Sequence, residues 1–215
     1  MNRRHFLATA TLAALLVGPT AGLMAAGPDR EGAAVQLTLS EAEIDDILYM
    51  REEEKLARDV YLTLHEQWGT PVFANISRAE QRHMGRMLDL VERYGLVDPV
   101  TDDSIGVFVN AELQSLYDAL VARGLRSELD ALHVGALIEE VDMEDIQNAI
   151  DRTDRRDIVR VYENLMRGSR NHLRAFVGLI ERRGVDYEAQ QLSQEEVDLI
   201  LSEPIERGGR GRGRR

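Results

Sequence analysis

Two stretches of this chain place ionisable side chains where an apolar contact surface is due. Stepping through the first by threes and fours gives Ile47, Met50, Glu54, Ala57, Tyr61, Leu64 and Trp68, one helical stripe with a carboxylate at its middle. The same spacing in the second gives Ile76, Glu80, His83, Met87, Leu90 and Tyr94. Glu80 and His83 are three residues apart, so one helix turn presents a carboxylate and an imidazole on the same face. A buried carboxylate is costly unless it is paired or bound to a cation. Two helices that each aim such groups inward therefore point to a metal site held between helices.

Two further stripes break in the same way. One runs Leu129, Leu132, Ala136, Glu139, Met143, Ile146, Ile150, and the other Ile158, Tyr162, Leu165, Ser169, His172, Phe176, Leu179. The chain has no cysteine, which excludes disulfides, thiolate metal sites, iron–sulfur clusters and cysteine nucleophiles. A metal would have to sit among carboxylates and imidazoles, a hard set that suits iron or manganese, although zinc also accepts it. Bland alternatives stand beside each candidate. Glu54 could pair with Arg51 or Arg58, Glu139 and Glu140 could belong to a solvated acidic face, and the whole set could be a metal-free polar core network. His5, His65 and His133 lie off the stripes or near the N-terminus and receive no role. Tyr61 and Tyr162 lie on the stripes near the carboxylates, as core residues with one hydroxyl to satisfy or as redox-active neighbours.

The elements that would position these groups can be read from their ends. Ser40 with Glu43 three residues on is a capping box for a helix A reaching about Trp68. Gly69-Thr70-Pro71 stops that helix and starts helix B, with Thr70 as cap and Pro71 in the first turn. A competing start at Ser77 would turn Glu80 into a capping residue. Residues 95–110 carry Asp98-Pro99 and Asp102-Asp103 and read as a long crossover loop. A short helix over about Ala111 to Arg123 follows, then helix C (about Glu128 to Ile150), helix D (about Asp154 to Arg183) and a two-turn helix near Ser193 to Leu201. Strand patterns are missing. Tight A–B and C–D turns make two antiparallel hairpins, and the long B-to-C link crosses from end to end.

The formal charge of −12 is unevenly spread. Residues 27–206 hold 38 acids against 19 bases, a net of −19, so the folded body should repel nucleic acid and attract cations. Residues 1–26, with Arg3-Arg4-His5-Phe6-Leu7 before an uncharged Ala/Leu-rich stretch, read as a twin-arginine-like export signal rather than a stable membrane span. This implies a periplasmic or other extracytoplasmic compartment, with a general secretory signal and a retained N-terminal anchor as the alternatives. The remaining divisions are a linker at 27–38, a helical domain at 39–185, a C-terminal short-helix segment at 186–206 and a basic Arg/Gly tail at 207–215. No glycine-rich phosphate loop or nucleophile elbow is present. The partner expected is a metal ion, and a homo-dimer stays open.

Glu54-x-x-Ala57-Arg58-x-x-Tyr61 and Glu80-x-x-His83 resemble the first two helices of rubrerythrin-type ferritin-like proteins, and Arg160-Val161-Tyr162 through His172 resembles their fourth. Longer runs, Met50 through Tyr61, Val100 through Asp103, Gly135 through Glu140 and Tyr162 through His172, resemble the uncharacterised family called domain of unknown function 2202, over about Leu39 to Ile180. The resemblance implies an all-α, ferritin-like four-helix bundle with a long B-to-C crossover and a short extra helix. It also implies a two-iron site built from a glutamate on each of two helices and an E-x-x-H on each of the others. Glu54, Glu80, His83, Glu139 and His172 fall on those ligand positions, whereas Ser169 stands where the second E-x-x-H glutamate would be. A hydroxyl cannot replace a bridging carboxylate, so the implied site holds one metal or an asymmetric pair, with Ser169 lining an open side and Ser169→Glu expected to strengthen it. The activity implied is that of an oxidoreductase of the ferroxidase or peroxidase type. The alternative is a non-catalytic module for metal sequestration or protein contact.

Overall fold

The chain's first helix starts as its sequence dictates. The Ser40 hydroxyl accepts from the Glu43 amide at 3.2 Å while the Glu43 carboxylate takes the Ser40 amide at 2.8 Å, satisfying two of the donors that every helix start leaves open. In the computed structural model, which describes residues 38–207, six helices follow and no strand occurs among the described residues. They are α1 (Glu41–Trp68), α2 (Pro71–Arg93), α3 (Ala111–Gly124), α4 (Glu128–Asp151), α5 (Arg156–Glu181) and α6 (Gln194–Ser202). The expected export segment at 1–26, the linker up to residue 37 and the tail from residue 208 lie outside the described residues.

Gly69 ends α1 in a left-handed conformation (φ 66°) that other residues rarely adopt, and Pro71 opens α2 directly after it. With a link this short, α1 and α2 can only fold back on each other, and they pack along their lengths, as do α4 and α5. The two pairs meet through α1 on α4 and α2 on α5, while α3 lies against α1 and α4 and α6 packs on α5. Thr70 occupies the cap position, yet its hydroxyl donates to Glu128 Oε1 at 2.5 Å instead of capping α2. This bond ties the α1–α2 turn to the first residue of α4. The start at Ser77 does not occur, since α2 is continuous from Pro71 and Ser77 donates to the Ala74 carbonyl. α5 begins two residues later than the sequence suggests, at Arg156. Among the described residues no helix is long and apolar enough to cross a membrane.

Two apolar clusters fill the interior. One gathers Tyr61, Leu64, Phe73, Leu132, Phe176 and their neighbours, and the other Ile47, Met50, Met87, Leu90, Ile146, Ile158 and Tyr162. Along each of α1, α2, α4 and α5 the stripe passes from one cluster to the other through a polar step: Glu54, Glu80 and His83, Glu139, and Ser169 and His172. The apolar layers close both ends of that step against water, which strengthens every electrostatic interaction inside it. In the first cluster Tyr61, Phe73 and Phe176 pack with ring centroids 5.3–6.3 Å apart. Gly135 makes this possible, because a Cβ there would lie 2.5 Å from the Phe176 ring.

α1 departs most from a simple amphipathic reading. From Arg51 to Tyr61 every residue is buried, so its outward side is covered as well. The cover includes the loop between α2 and α3, fastened by charges on α1. Lys55 donates to the carbonyls of Ser104 and Val107 at 2.8 and 3.1 Å. Arg51 pairs with Asp98 at 3.0 Å and Arg58 with Asp103 at 2.8 Å.

Candidate metal centre

The five predicted ligands reach the polar step from four helices, two of them from α2. Glu54 from α1, Glu80 from α2 and Glu139 from α4 are 2–3% exposed, and His83 and His172 from α2 and α5 have side chains 15% and 12% exposed. The five groups converge. His83 Nδ1 lies 2.7 Å from Glu80 Oε2 and 3.3 Å from Glu54 Oε2. His172 Nδ1 lies 2.8 Å from Glu80 Oε1 and 3.3 Å from Glu139 Oε2. The two oxygens of one carboxylate, Glu80, thus face the two imidazoles, whose centroids are 5.8 Å apart. Two triads result, Glu54–Glu80–His83 and Glu80–Glu139–His172, each with its donor atoms within 4.8 Å of one another.

These short distances are not aligned hydrogen bonds. Glu54 Oε1, Glu80 Oε1 and the Nδ1 atoms of His83 and His172 are buried without a hydrogen-bond partner. Buried polar atoms are rarely left in that condition, and two imidazoles and three carboxylates crowded without hydrogen-bond alignment fit a cation between them. The donor set passes the chemical test too, with two carboxylates and one imidazole per triad and no soft ligand.

The surface alternatives for Glu54, Glu139 and Glu140 do not hold. Arg58 pairs with Asp59 and Asp103, and Arg51 with Asp98, leaving neither for Glu54. Glu139 and Glu140 are both buried, and they diverge. Glu139 Oε1 accepts from the Tyr61 hydroxyl at 2.6 Å. Glu140 Oε2 instead takes the backbone amides of Gln190, Gln191 and Leu192 at 2.6–2.9 Å and fastens the C-terminal segment to α4.

Two expectations are corrected. Tyr162 does not stand beside the carboxylates, because it belongs to the second apolar cluster and its charged neighbours are Asp46, Arg152 and Glu43. Ser169 does not line an open side. It is 1% exposed, and its hydroxyl donates to Asp142 Oδ2 and to the Leu165 carbonyl. The carboxylate missing from α5 is thus balanced by one on α4, three residues after Glu139. Sequence reasoning gave no role to Asp142 or to Glu53, which is 4% exposed with Oε2 unpartnered. The signal for Asp142 was the i, i+3 spacing from Glu139. For Glu53 there was none, since it lies one residue off the stripe.

The electrostatics follow from crowding acids in a dry space. Burial pushes Glu54 up to about 7, against the pull of His83 and with a further push from Glu80. Glu80, despite its burial, is held well below the usual carboxylate range by His172 and His83. Burial disfavours the charged imidazoles, but Glu80 and Glu139 raise His172 to about 10, and Glu54 and Glu80 raise His83 well above its ordinary value. Asp142 and Glu53 are pushed well up by burial and by neighbouring carboxylates. Without a cation, the imidazoles serve as the acids' counter-ions. Gly168 lets His83 take this position, because a Cβ there would lie 2.5 Å from the imidazole Cε1.

Comparison with known proteins agrees on the family. Residues 43–204 match the family model described as Uncharacterized protein domain (DUF2202). The chain is 51% identical over 170 residues to the uncharacterized protein MJ0754 of Methanocaldococcus jannaschii, an alignment covering 79% of this chain and 92% of that protein. A crystal structure of the hypothetical protein MJ0754 superposes with a TM-score of 0.77 at 47% identity, covering 85% of this chain and all of the other. The chain belongs to the DUF2202 family.

Proposed function

We propose that this DUF2202 protein holds iron or manganese in a two-ion carboxylate–imidazole centre within a ferritin-like four-helix arrangement, and that it works as a redox metalloprotein in an extracytoplasmic compartment. Glu80 carries the reading, since each of its oxygens belongs to a different triad. Glu54 and His83 would complete one ion's protein ligands, and Glu139 and His172 the other's. The pairing of α1 with α2 and of α4 with α5, joined by α1 on α4 and α2 on α5, supports the ferritin-like arrangement.

When bound, such ions supply one-electron chemistry toward oxygen or peroxide. The chain's own residues do the rest. The Tyr61 hydroxyl orients Glu139, Ser169 orients Asp142, and the two apolar clusters exclude water.

Metal analysis of protein purified from its native compartment, or loaded anaerobically with iron(II), tests this. Close to two ions per chain are expected, with near-complete loss in Glu80→Ala and retention of about one in His172→Ala. Metal content unchanged in Glu80→Ala would overturn the reading. Export is tested separately, because native protein whose mass shows a start at Met1 or Asn2 would remove it.

A further inference from the structure

The outer wall between α2 and α5 differs from the rest of the molecule. In a chain of formal charge −12, a groove of about 440 Å³ there is lined by five arginines, Arg82, Arg86 and Arg93 from α2 with Arg160 and Arg167 from α5. Asp89 is the one acid on its walls, and His83 of the candidate metal centre is among its lining residues.

Intramolecular pairing leaves much of this charge unanswered. Arg86 meets Asp89 at 3.2 Å in an exposed pair, and Arg93 meets Asp157 at 3.0 Å; pairs of this kind contribute little. Arg82 donates only to the Arg78 carbonyl, and Arg167 to the Asn164 side chain. The Arg160 guanidinium has no partner among the described residues, although the residue's carbonyl accepts from Asn164 Nδ2, and neither Arg82 nor Arg167 has a carboxylate there. Like charges gathered in a concave surface repel each other and focus the field on whatever enters. The planar guanidinium fork matches phosphate oxygens two at a time.

We infer that this groove binds a phosphate-class oxyanion, either free or as a phosphate monoester, and seats it beside the His83 edge of the centre. A polymer such as nucleic acid is disfavoured, because residues 38–207 around the groove hold 36 acids against 19 bases, a net −17. A small anion meets only the local arginines. The volume exceeds that of a single phosphate group and leaves room for the organic part of an ester.

Titration calorimetry on the full chain, treated with chelator so that the result does not depend on metal occupancy, tests the inference with inorganic phosphate and with glycerol phosphate. Binding with a Kd below about 1 mM is expected for at least one probe, weakening as sodium chloride is raised. The tighter of the two identifies the free or the esterified source. Arg160→Ala/Arg167→Ala should weaken it at least about tenfold with an unchanged helical spectrum. Replacing Arg210, Arg212, Arg214 and Arg215 by Ser should leave it intact. No binding of either probe, or loss on changing the tail with none on changing the groove, overturns the assignment.

Discussion

α1 carries two buried polar faces, and they differ in how they are completed. On the outer face Lys55 reaches Asp59 at 2.6 Å and two backbone carbonyls. Asp59 also accepts from Arg58 at 2.8 Å and from the Gly106 amide at 3.0 Å, and Glu52 accepts from the amides of Val109 and Asn110. On the inner face Glu53 and Glu54 each keep an oxygen without a partner, one turn or less from residues that lack nothing. The same helix and the same residue types thus give one network closed by the chain itself and one that the chain leaves open. A fold that satisfies buried charges so fully on one side has the means to do so on the other. The open side is therefore where the proposed metal site is placed.

The largest effect is expected from breaking the closed network. Lys55→Met would leave Asp59 with Arg58 and the Gly106 amide and strip the Ser104 and Val107 carbonyls of their Lys55 donor. Removing one partner of a buried pair costs about 3–5 kcal/mol, which denaturant unfolding would read. Metal per folded chain should not change. A loss below about 1 kcal/mol would show that the α2–α3 loop is held by something other than this charge.

The open network should respond to pH. His172, raised from 6.5 to about 10, contributes stability that is fully present below pH 6.5 and lost as pH rises through 10. Glu54, raised from 4.5 to about 7, acts in the same direction, with its contribution lost between pH 4.5 and 7. Glu80 is depressed, so its contribution is present above pH 4.5 and lost as pH falls through its folded value. The metal-free protein should therefore lose thermal stability steadily from pH 7 to 10. Metal loading should flatten that slope and release protons from both imidazoles, since only the neutral ring coordinates. A metal-free melting temperature that is flat over this range would mean the imidazoles are not the counter-ions of the acids.

Much of this was legible in the sequence. The four stripes, the Ser40–Glu43 box and the Gly69-Thr70-Pro71 turn located the helices to within about two residues, and the mid-stripe polar positions identified all five converging groups. Periodicity works there because each group faces the interior from the centre of its helix. It fails on the outer face of α1, where Arg51, Glu52, Lys55, Arg58 and Asp59 fall off the stripe but are covered by a loop some 45–57 residues further on. Local spacing carries no information about such a distant cover. It fails again at Ser169, which reads as a gap in a motif when its role is to hold Asp142.

That role changes the outcome expected for Ser169→Glu. A larger acid would be forced against Asp142 in a space where Ser169 is already 1% exposed, so the metal-free protein should be destabilised instead of gaining a ligand. Asp142→Asn tests the same crowding from the other side. Burial and the charges of Glu54 and Glu139 raise Asp142 well above 3.8, so its contribution is full below pH 3.8 and lost as pH rises. An amide of the same shape still accepts from Ser169 and carries no charge. The variant should be more stable than the parent at pH 7 by on the order of 1 kcal/mol or more, with the gain vanishing near pH 4. A variant less stable at pH 7 would place Asp142 among the groups that the fold needs charged.

The smallest expected effect belongs to Tyr61→Phe, which touches the open network at one atom. Tyr61 is fully buried, and its hydroxyl donates to Glu139 Oε1 at 2.6 Å, with the Gly135 carbonyl at 3.3 Å. The ring packs against Phe73 and Phe176, and phenylalanine keeps that packing. What is lost is one hydrogen bond to a buried carboxylate, about 1–3 kcal/mol in the metal-free protein. With metal bound the loss should shrink, because an ion on Glu139 would offset the missing donor. The second triad, Glu80–Glu139–His172, should bind its ion a few-fold more weakly, since an unoriented ligand must be ordered as the metal enters. The first triad should be unaffected. Competitive titration with a calibrated chelator resolves the two. If both ions weaken equally in Tyr61→Phe, the two triads behave as one unit through Glu80, and the division of the centre into two halves fails.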